Sequence, residues 1–238
     1  GDHRDLHSFP PRRSSDLNGQ TELIYALTGL LPVDGGEIYY KGEDITHKSI
    51  RHRNSTGISH IPEDRHKHGL VLDYTLAENL VLQTYFLNQF QNRGFINFKE
   101  RLKNAKAMIE QYDIRSGEGP ITLVRSMSGG NQQKAIVARE VEKDPDVIIA
   151  VQPTRGLDVG AIEYIHNQLI KQRDMGRAVL LVSLELSEVL GISDRILVMY
   201  EGEIVGEVNP AEVTQQELGL YMSGSKRGAG YERKETVK

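Results

Sequence analysis

The chain has 238 residues, 38% of them hydrophobic and 26% charged, with no cysteine and a formal net charge of -4. A chain of this length buries about 70% of its unfolded surface, so it holds a sizeable core without staples. The missing cysteines exclude disulfides and thiolate metal sites and fit a reducing compartment. The charge balance gives no electrostatic footprint for nucleic acid, and no apolar run approaches the ~20 residues that span a bilayer.

Residues 1–17 are polar, carry Pro10-Pro11 and Arg12-Arg13, and show neither helix nor strand period. They read as a non-native or disordered leader outside the fold, and the stretch His7-Ser8-Phe9-Pro10-Pro11 to Leu17 resembles the translation of a sequencing adapter. No apolar core follows the arginine pair, as a twin-Arg export signal would need. Asn18-Gly19-Gln20-Thr21 opens a helix to Leu27, ended by Pro32 and Gly35-Gly36. Residues 37–40 read as a short strand turned at Lys41-Gly42-Glu43. Residues 52–69 read as a polar loop with an apolar break at Ile58 and Ile61. Its His52, His60, His66 and His68 lack the spacing of a metal site.

Residues 76–86 are predicted helical. Asn97 caps a further helix, with Glu100 completing a capping box and Phe98, Leu102, Ala105, Ile109 and Tyr112 on one face. Tyr39-Tyr40 and Tyr85-Phe86 read as strand and helix core, not as a base-stacking platform. A helix over 129–142 follows Ser128-Gly129-Gly130. Residues 146–151 form a branched apolar run of the kind buried on both faces of a parallel sheet. Ile162, Ile165 and Leu169 stripe the next helix. Residues 178–183 and 195–200 are further buried strands, the latter turning at Glu201-Gly202-Glu203 into Ile204-Val205. This alternation predicts an α/β fold with a parallel sheet. The helical stretch 74–142 interrupts it as an inserted subdomain. Residues 226–238, charged and glycine-rich, read as a disordered tail.

The free N–H groups of Ser128-Gly129-Gly130, with the positive end of a helix dipole behind them, make an anion site. An apolar strand, Val147-Ile148-Ile149-Ala150-Val151, follows, and then Gln152-Pro153-Thr154-Arg155-Gly156-Leu157-Asp158. That order resembles the signature motif, Walker B strand and D-loop of an ABC-type ATPase. Over residues 18–225 the chain resembles the nucleotide-binding domain of that family. More narrowly, it looks like the C-terminal (second) domain of the tandem ATPases of sugar and nucleoside importers. The narrower resemblance rests on Pro62-Glu63-Asp64-Arg65-His66-Lys67-His68-Gly69-Leu70, on Asn131-Gln132-Gln133-Lys134, and on Pro153-Thr154-Arg155-Gly156-Leu157-Asp158-Val159-Gly160. It implies a P-loop NTPase core of ABC type with a parallel sheet, a small antiparallel β part and a helical subdomain over about 74–142. ATP and Mg2+ are the ligands it implies.

Laid on this sequence, the family's motifs split into two groups. The Walker A pattern ends in Gly, Lys and a hydroxyl that cradle phosphate and metal. Here Asn18-Gly19-Gln20-Thr21 keeps Gly19 and Thr21 but has Gln20 where the Lys belongs. Val151 stands at the metal-holding Asp, Gln152 at the general-base Glu and Leu184 at the γ-phosphate His. No catalytic residue and no metal ligand carries over. A lost general base alone is worth roughly 10²–10⁴ in rate, so the chain's own site is expected to bind ATP weakly and to hydrolyse almost none.

Ser128, Gly129 and Gly130 match the signature, which in the family is presented head to tail to a partner domain's ATP, and Asn131, in place of the usual Gly after it, joins them as a candidate nucleotide contact. Asp158 matches the D-loop residue at that interface, and Glu63 falls near the Q-loop position. The implied cofactors are therefore ATP, weak at the chain's own site and shared at the partner's, and Mg2+ through the partner. The implied partners are a second ABC nucleotide-binding domain in the same parent chain and integral membrane permease subunits, with no nucleic acid. The implied place is the cytoplasmic face of the inner membrane, peripherally, with nucleosides favoured over ribose or galactose as solute. The alternatives are a non-transport scaffold of the ABC family, as in translation or DNA repair, and a truncated gene fragment.

Overall fold

The computed structural model describes residues 18–231. The expected leader and residues 232–238 lie outside the described residues. In chain order the elements are α1 (Gln20–Thr28), β1 (Tyr39–Tyr40), β2 (Glu43–Asp44), α2 (Ile50–Thr56), β3 (Ile58–Ile61), α3 (Leu76–Leu80), β4 (Gln91–Asn92), β5 (Phe95–Ile96) and α4 (Phe98–Gln111). They continue with α5 (Gly129–Glu142), β6 (Val147–Val151), α6 (Val159–Asp174), β7 (Ala178–Val182), α7 (Leu186–Ile192), β8 (Ile196–Tyr200), β9 (Glu203–Val208) and α8 (Gln215–Met222). The described residues divide into two compact units, 18–27 with 186–231 and 28–185.

The larger unit is built on a parallel sheet of order β3-β6-β7, with Ile58 opposite Val147 and Val147 opposite Ala178. Ile148 to Val151 are all buried, as a central strand covered on both faces requires. Ile136 of α5 and Ile165 of α6 are likewise wholly buried.

β3 overturns the expectation of a loop over 52–69. Ser49 caps α2 by accepting from the His52 N–H, and Gly57 ends it at φ +115°. The strand was hidden because its second residue, Ser59, is polar yet buried. Its hydroxyl donates to the Glu140 carbonyl at 2.8 Å, which satisfies the group and breaks the apolar pattern. A π-type turn over Arg65–Gly69 follows, capped by the Asp64 carboxylate.

The inserted part is less helical than expected. α3 stops at Leu80, and turns occupy most of 81–90. The reciprocal capping box belongs to Thr75 and Glu78. Asn97 does accept from the Glu100 N–H at 3.2 Å, but its own N–H donates to the Phe90 carbonyl. Phe98 is 61% exposed, and the buried stripe of α4 runs through Ala105 and Met108 to Tyr112 at its end. The hairpin β4–β5 turns on Arg93 and Gly94, both at positive φ, the geometry of a two-residue hairpin turn. Tyr39 and Tyr85 are exposed rather than core. The Tyr40 hydroxyl reaches the Thr56 carbonyl and the Asp146 carboxylate.

In the smaller unit β8 pairs antiparallel with β9, Ile196 opposite Val208. Ile196, Val198 and Val205 form a core with Leu218 and Tyr221 of α8. The expected disordered tail is tied down as far as Tyr231. Lys226 pairs with Glu217, Arg227 with Glu203, and the Gly228 N–H donates to the Val205 carbonyl at 2.8 Å.

Candidate functional site

Asn18, Gly19, Gln20 and Thr21 lie in the smaller unit and form a turn that opens α1. Asn18 sits at φ +49° and Gly19 at φ +92°. The Gly202 N–H donates to the Asn18 carbonyl at 2.9 Å, and the Gly19 carbonyl accepts from the Leu23 N–H to start the helix. A Cβ on Gly19 would stand 2.9 Å from the Gly202 Cα, so sterics as well as φ demand glycine. Gln20 brings no charge to this turn, and its Oε1 is buried without a hydrogen-bond partner.

The other candidates lie in the larger unit. Val151, buried at the end of β6, offers no oxygen. Gln152 leaves the strand at φ +46°, its N–H donating to the Val182 carbonyl at 2.7 Å and its carbonyl accepting from the Arg155 N–H. The residue is 6% exposed, and its Nε2 is buried without a partner. A strained, unsatisfied residue at the carboxyl end of a parallel strand is the kind of place where such sheets hold ligands. Leu184 is 40% exposed and has no polar side-chain atom to offer. Glu63, the remaining carboxylate near the expected Q-loop position, is taken by the Arg155 guanidinium. Among the described residues no cluster of His, Asp and Glu could hold a metal ion. Val151 and Gln152, at the end of β6, offer no carboxylate to Mg2+.

Ser128 caps α5. Its Oγ accepts from the Asn131 N–H at 3.4 Å and from Asn131 Nδ2 at 2.9 Å. Asn131 Oδ1 in turn accepts from the Arg115 N–H at 2.8 Å, so Asn131 serves to orient the cap. Ala161 of α6 would lie with its Cβ 3.2 Å from a Cβ on Gly130, and Asp158 Oδ2 at 3.7 Å. The turn therefore packs on the start of α6. Asp158 caps that helix by accepting from the Ala161 N–H at 2.9 Å. Ser128 and Asp158 are exposed, and the neighbouring Val159 is 81% exposed. Ser128, Gly129, Gly130, Asn131 and Asp158 are thus brought together at one exposed place.

Sequence reasoning missed the residues that hold this place. Arg65 Nη1 donates to the Arg155 carbonyl at 3.1 Å, and Arg155 pairs with Glu63. The His66 Nε2 and Gln132 Oε1 lie 2.8 Å apart, and Gln132 Nε2 donates to the Val124 carbonyl. The one available signal was two glutamines, Gln132 and Gln133, at buried positions of α5, a helix that also buries Arg139 and Glu140.

Near the C-terminal end of α5 lies Glu140, which is fully buried. It accepts from Arg139 Nε at 3.0 Å, from Gln83 Nε2 at 3.0 Å and from the Lys143 ammonium, with the His60 N–H at 3.4 Å. Burial pushes the neighbouring His60 imidazole down to about 4, against the upward pull of Glu140. An unfolded histidine titrates near 6.5. The folded value is the lower one, so the stability that depends on neutral His60 is complete above about pH 6.5 and drains away as pH falls toward 4. His60→Gln is expected to remove about 2 kcal/mol of the stability difference between pH 7 and pH 5. Urea unfolding of both proteins at the two pH values measures this, and equal losses in both would contradict it.

The family model described as ABC transporter matches residues 18–155. The guanosine import ATP-binding protein NupO of Bacillus subtilis is 52% identical over 210 residues, 88% of this chain and 41% of that protein. The nucleoside import ATP-binding protein NupA of Lactococcus lactis is 51% identical, over 88% of this chain and 41% of that protein. The ribose import ATP-binding protein RbsA of Oceanobacillus iheyensis is 40% identical, over 90% and 42%. The chain thus spans about two fifths of the length of these relatives. A nucleotide-free ATP-binding cassette from an ABC transporter superposes with a TM-score of 0.67 at 23% identity, over 87% of this chain and 80% of that one. A dimeric cassette bound to ADP and Pi superposes with a TM-score of 0.67 over 81% of each chain at 23% identity. These likenesses show the fold.

Proposed function

The chain belongs to the ABC transporter family as one of its ATP-binding cassettes, and we propose that it is the second cassette of a tandem nucleoside-import ATPase. In this reading it completes a partner cassette's ATP site and turns over almost no ATP at its own. The observation that carries the reading is a contrast within one unit. Ser128 caps an exposed helix start beside Asp158 and the bare Val159, while Val151 is a buried aliphatic group and Gln152 an amide where hydrolysis needs carboxylates.

The chemistry of the two halves follows. The N–H groups of Gly129 and Gly130 have no partner within α5, because the first turn of a helix leaves them free. With the Ser128 hydroxyl and the helix dipole they stabilise charge growing on a phosphate brought to them by another domain. At the chain's own site, Gln152 can donate to a bound nucleotide but cannot take a proton from water at neutral pH. Mg2+ and the attacking water belong to the partner's site. The nucleoside assignment rests on the relatives at 52% and 51% identity, which are named for guanosine and nucleoside import. The tandem arrangement is in keeping with relatives more than twice the length that this chain matches. Among the described residues no helix is long and apolar enough to cross a membrane. In this reading, which rests on relatives named as import ATP-binding proteins, membrane permease subunits provide the path, with this chain docked on their cytoplasmic side.

Purified alone, the chain is expected to show no Mg2+-dependent phosphate release above background. Clear turnover that Gln152→Ala abolishes would overturn the degenerate-site reading.

A further inference from the structure

We propose that Arg65 is the positioning residue of the Ser128-Gly129-Gly130 turn, locking it to the 152–158 turn so that both move with the Pro62-Glu63-Asp64-Arg65 segment as one piece. The inference rests on the trans-acting reading of Ser128 given above. Arg65 lies across three segments. Its Nη1 donates to the Arg155 carbonyl, 90 residues away in sequence, at 3.1 Å. Its Nη2 stands 3.1 Å, and its Cζ 3.5 Å, from where a Cβ on Gly129 would be, and Nη2 is 4.0 Å from the corresponding point on Gly156.

Two bonds flank this contact on either side. Arg155 pairs with Glu63, and His66 Nε2 lies 2.8 Å from Gln132 Oε1. Between them, the segment grips α5 one turn in and the 152–158 turn at its centre.

The position of Arg65 is not explained by its own electrostatics. A cation at the start of a helix opposes the helix dipole. Neither acid of its own segment neutralises it, since Glu63 goes to Arg155 and Asp64 caps the His66 and Lys67 N–H groups. Arg65 Nε is buried without a partner. What the side chain does achieve is geometric: its flat guanidinium lies so close to Gly129 that a Cβ there would press on Nη2 at 3.1 Å, and it bridges the two turns that carry Ser128 and Asp158. A planar fork can hold the carbonyl and lie flat on glycine at once, which a lysine ammonium cannot.

The test is a double-mutant cycle in the full-length two-cassette protein, reading kcat and KM for ATP hydrolysis. Arg65→Gln is expected to lower kcat about tenfold with KM within about twofold, because a misplaced turn loses the contacts that Ser128 and its neighbours make in the transition state while ground-state binding is kept. Arg65→Lys recovers part of kcat by reaching the Arg155 carbonyl. Gly129→Ala displaces the guanidinium and lowers kcat alone, but costs little more once Arg65→Gln is present, because the two changes break the same contact. Additive effects, or an unchanged kcat in Arg65→Gln, overturn the proposal. Hydrolysis that responds to changes at Ser128 but not at Arg65 defeats this inference alone, whereas hydrolysis indifferent to Ser128 defeats the trans-acting reading and this one with it.

Discussion

Glu140→Ala lowers the unfolding free energy of the chain by about 3–5 kcal/mol, the cost of breaking a buried ion pair by removing one partner. Glu140 is wholly buried in α5, and the side chains of Arg139 and Lys143 are almost as deep. Burial pushes its carboxyl up, but Lys143 and Arg139 pull harder and leave it below the usual range, so it is charged in the folded protein. Removing it leaves two cations facing each other, strips the acceptor from Gln83 Nε2 and loosens the His60 N–H. At about 2–4 °C per kcal/mol for a chain of this size, the melting temperature falls by roughly 6–20 °C.

The companion variant separates pairing from packing. Replacing Glu140, Arg139 and Lys143 together by methionine removes the charges as well as the carboxylate and is expected to come out near neutral. Thermal melting followed by circular dichroism reads both. A Glu140→Ala cost under about 1 kcal/mol would mean that the cluster tolerates an unpaired cation and is wetter than its burial implies.

The parts of the fold legible in the sequence are those specified locally. The helix over 129–142 has its predicted bounds because a Ser cap, two glycines and an apolar stripe sit within one stretch of chain. β6, α6 and β7 are legible for the same reason: an unbroken branched run and a helical stripe need no distant partner to be recognised, although β7, expected to be buried, is exposed at Ala178 and only half-buried beyond it. β3 was not, because Ser59 is satisfied by a carbonyl 81 residues away, and no local pattern announces such a bond. The hairpin β4–β5 was overlooked although Arg93-Gly94 is a turn signal, since its strands are two residues long and lack an alternating face. Within the site, the turn at Ser128 and the cap at Asp158 were legible as motifs. The clip that holds them was not, because Arg65, Arg155, Glu63 and Gln132 meet only through the tertiary fold. The same holds for the end of the chain. Lys226 and Arg227 look like a solvated tail until Glu217 and Glu203 are brought beside them.

Ser128→Asp in the proposed two-cassette protein is expected to lower ATP hydrolysis by roughly 10²–10³, the range seen when one preorganised donor to a developing oxyanion is lost. The substitution is chosen because it leaves the fold alone. Ser128 is an N-cap whose Oγ accepts from the Asn131 N–H. Aspartate caps a helix as well as serine does and suits the positive end of its dipole. α5 should therefore keep its start and the chain its melting temperature. What changes is the surface shown to the neighbour: a hydroxyl that can donate to phosphate becomes a carboxylate that repels it.

Ser128→Ala is the opposite case. It loses the hydroxyl and costs about 1 kcal/mol of cap, but adds no charge, so its rate loss should be the smaller of the two. Together Ser128→Asp and Ser128→Ala are expected to report on a phosphate bound by another domain, and nucleotide affinity of the isolated chain is expected to be the same in both variants as in the parent. Full hydrolysis in Ser128→Asp, with the protein folded and both cassettes present, would show that no phosphate approaches this helix start and would end the trans-acting account.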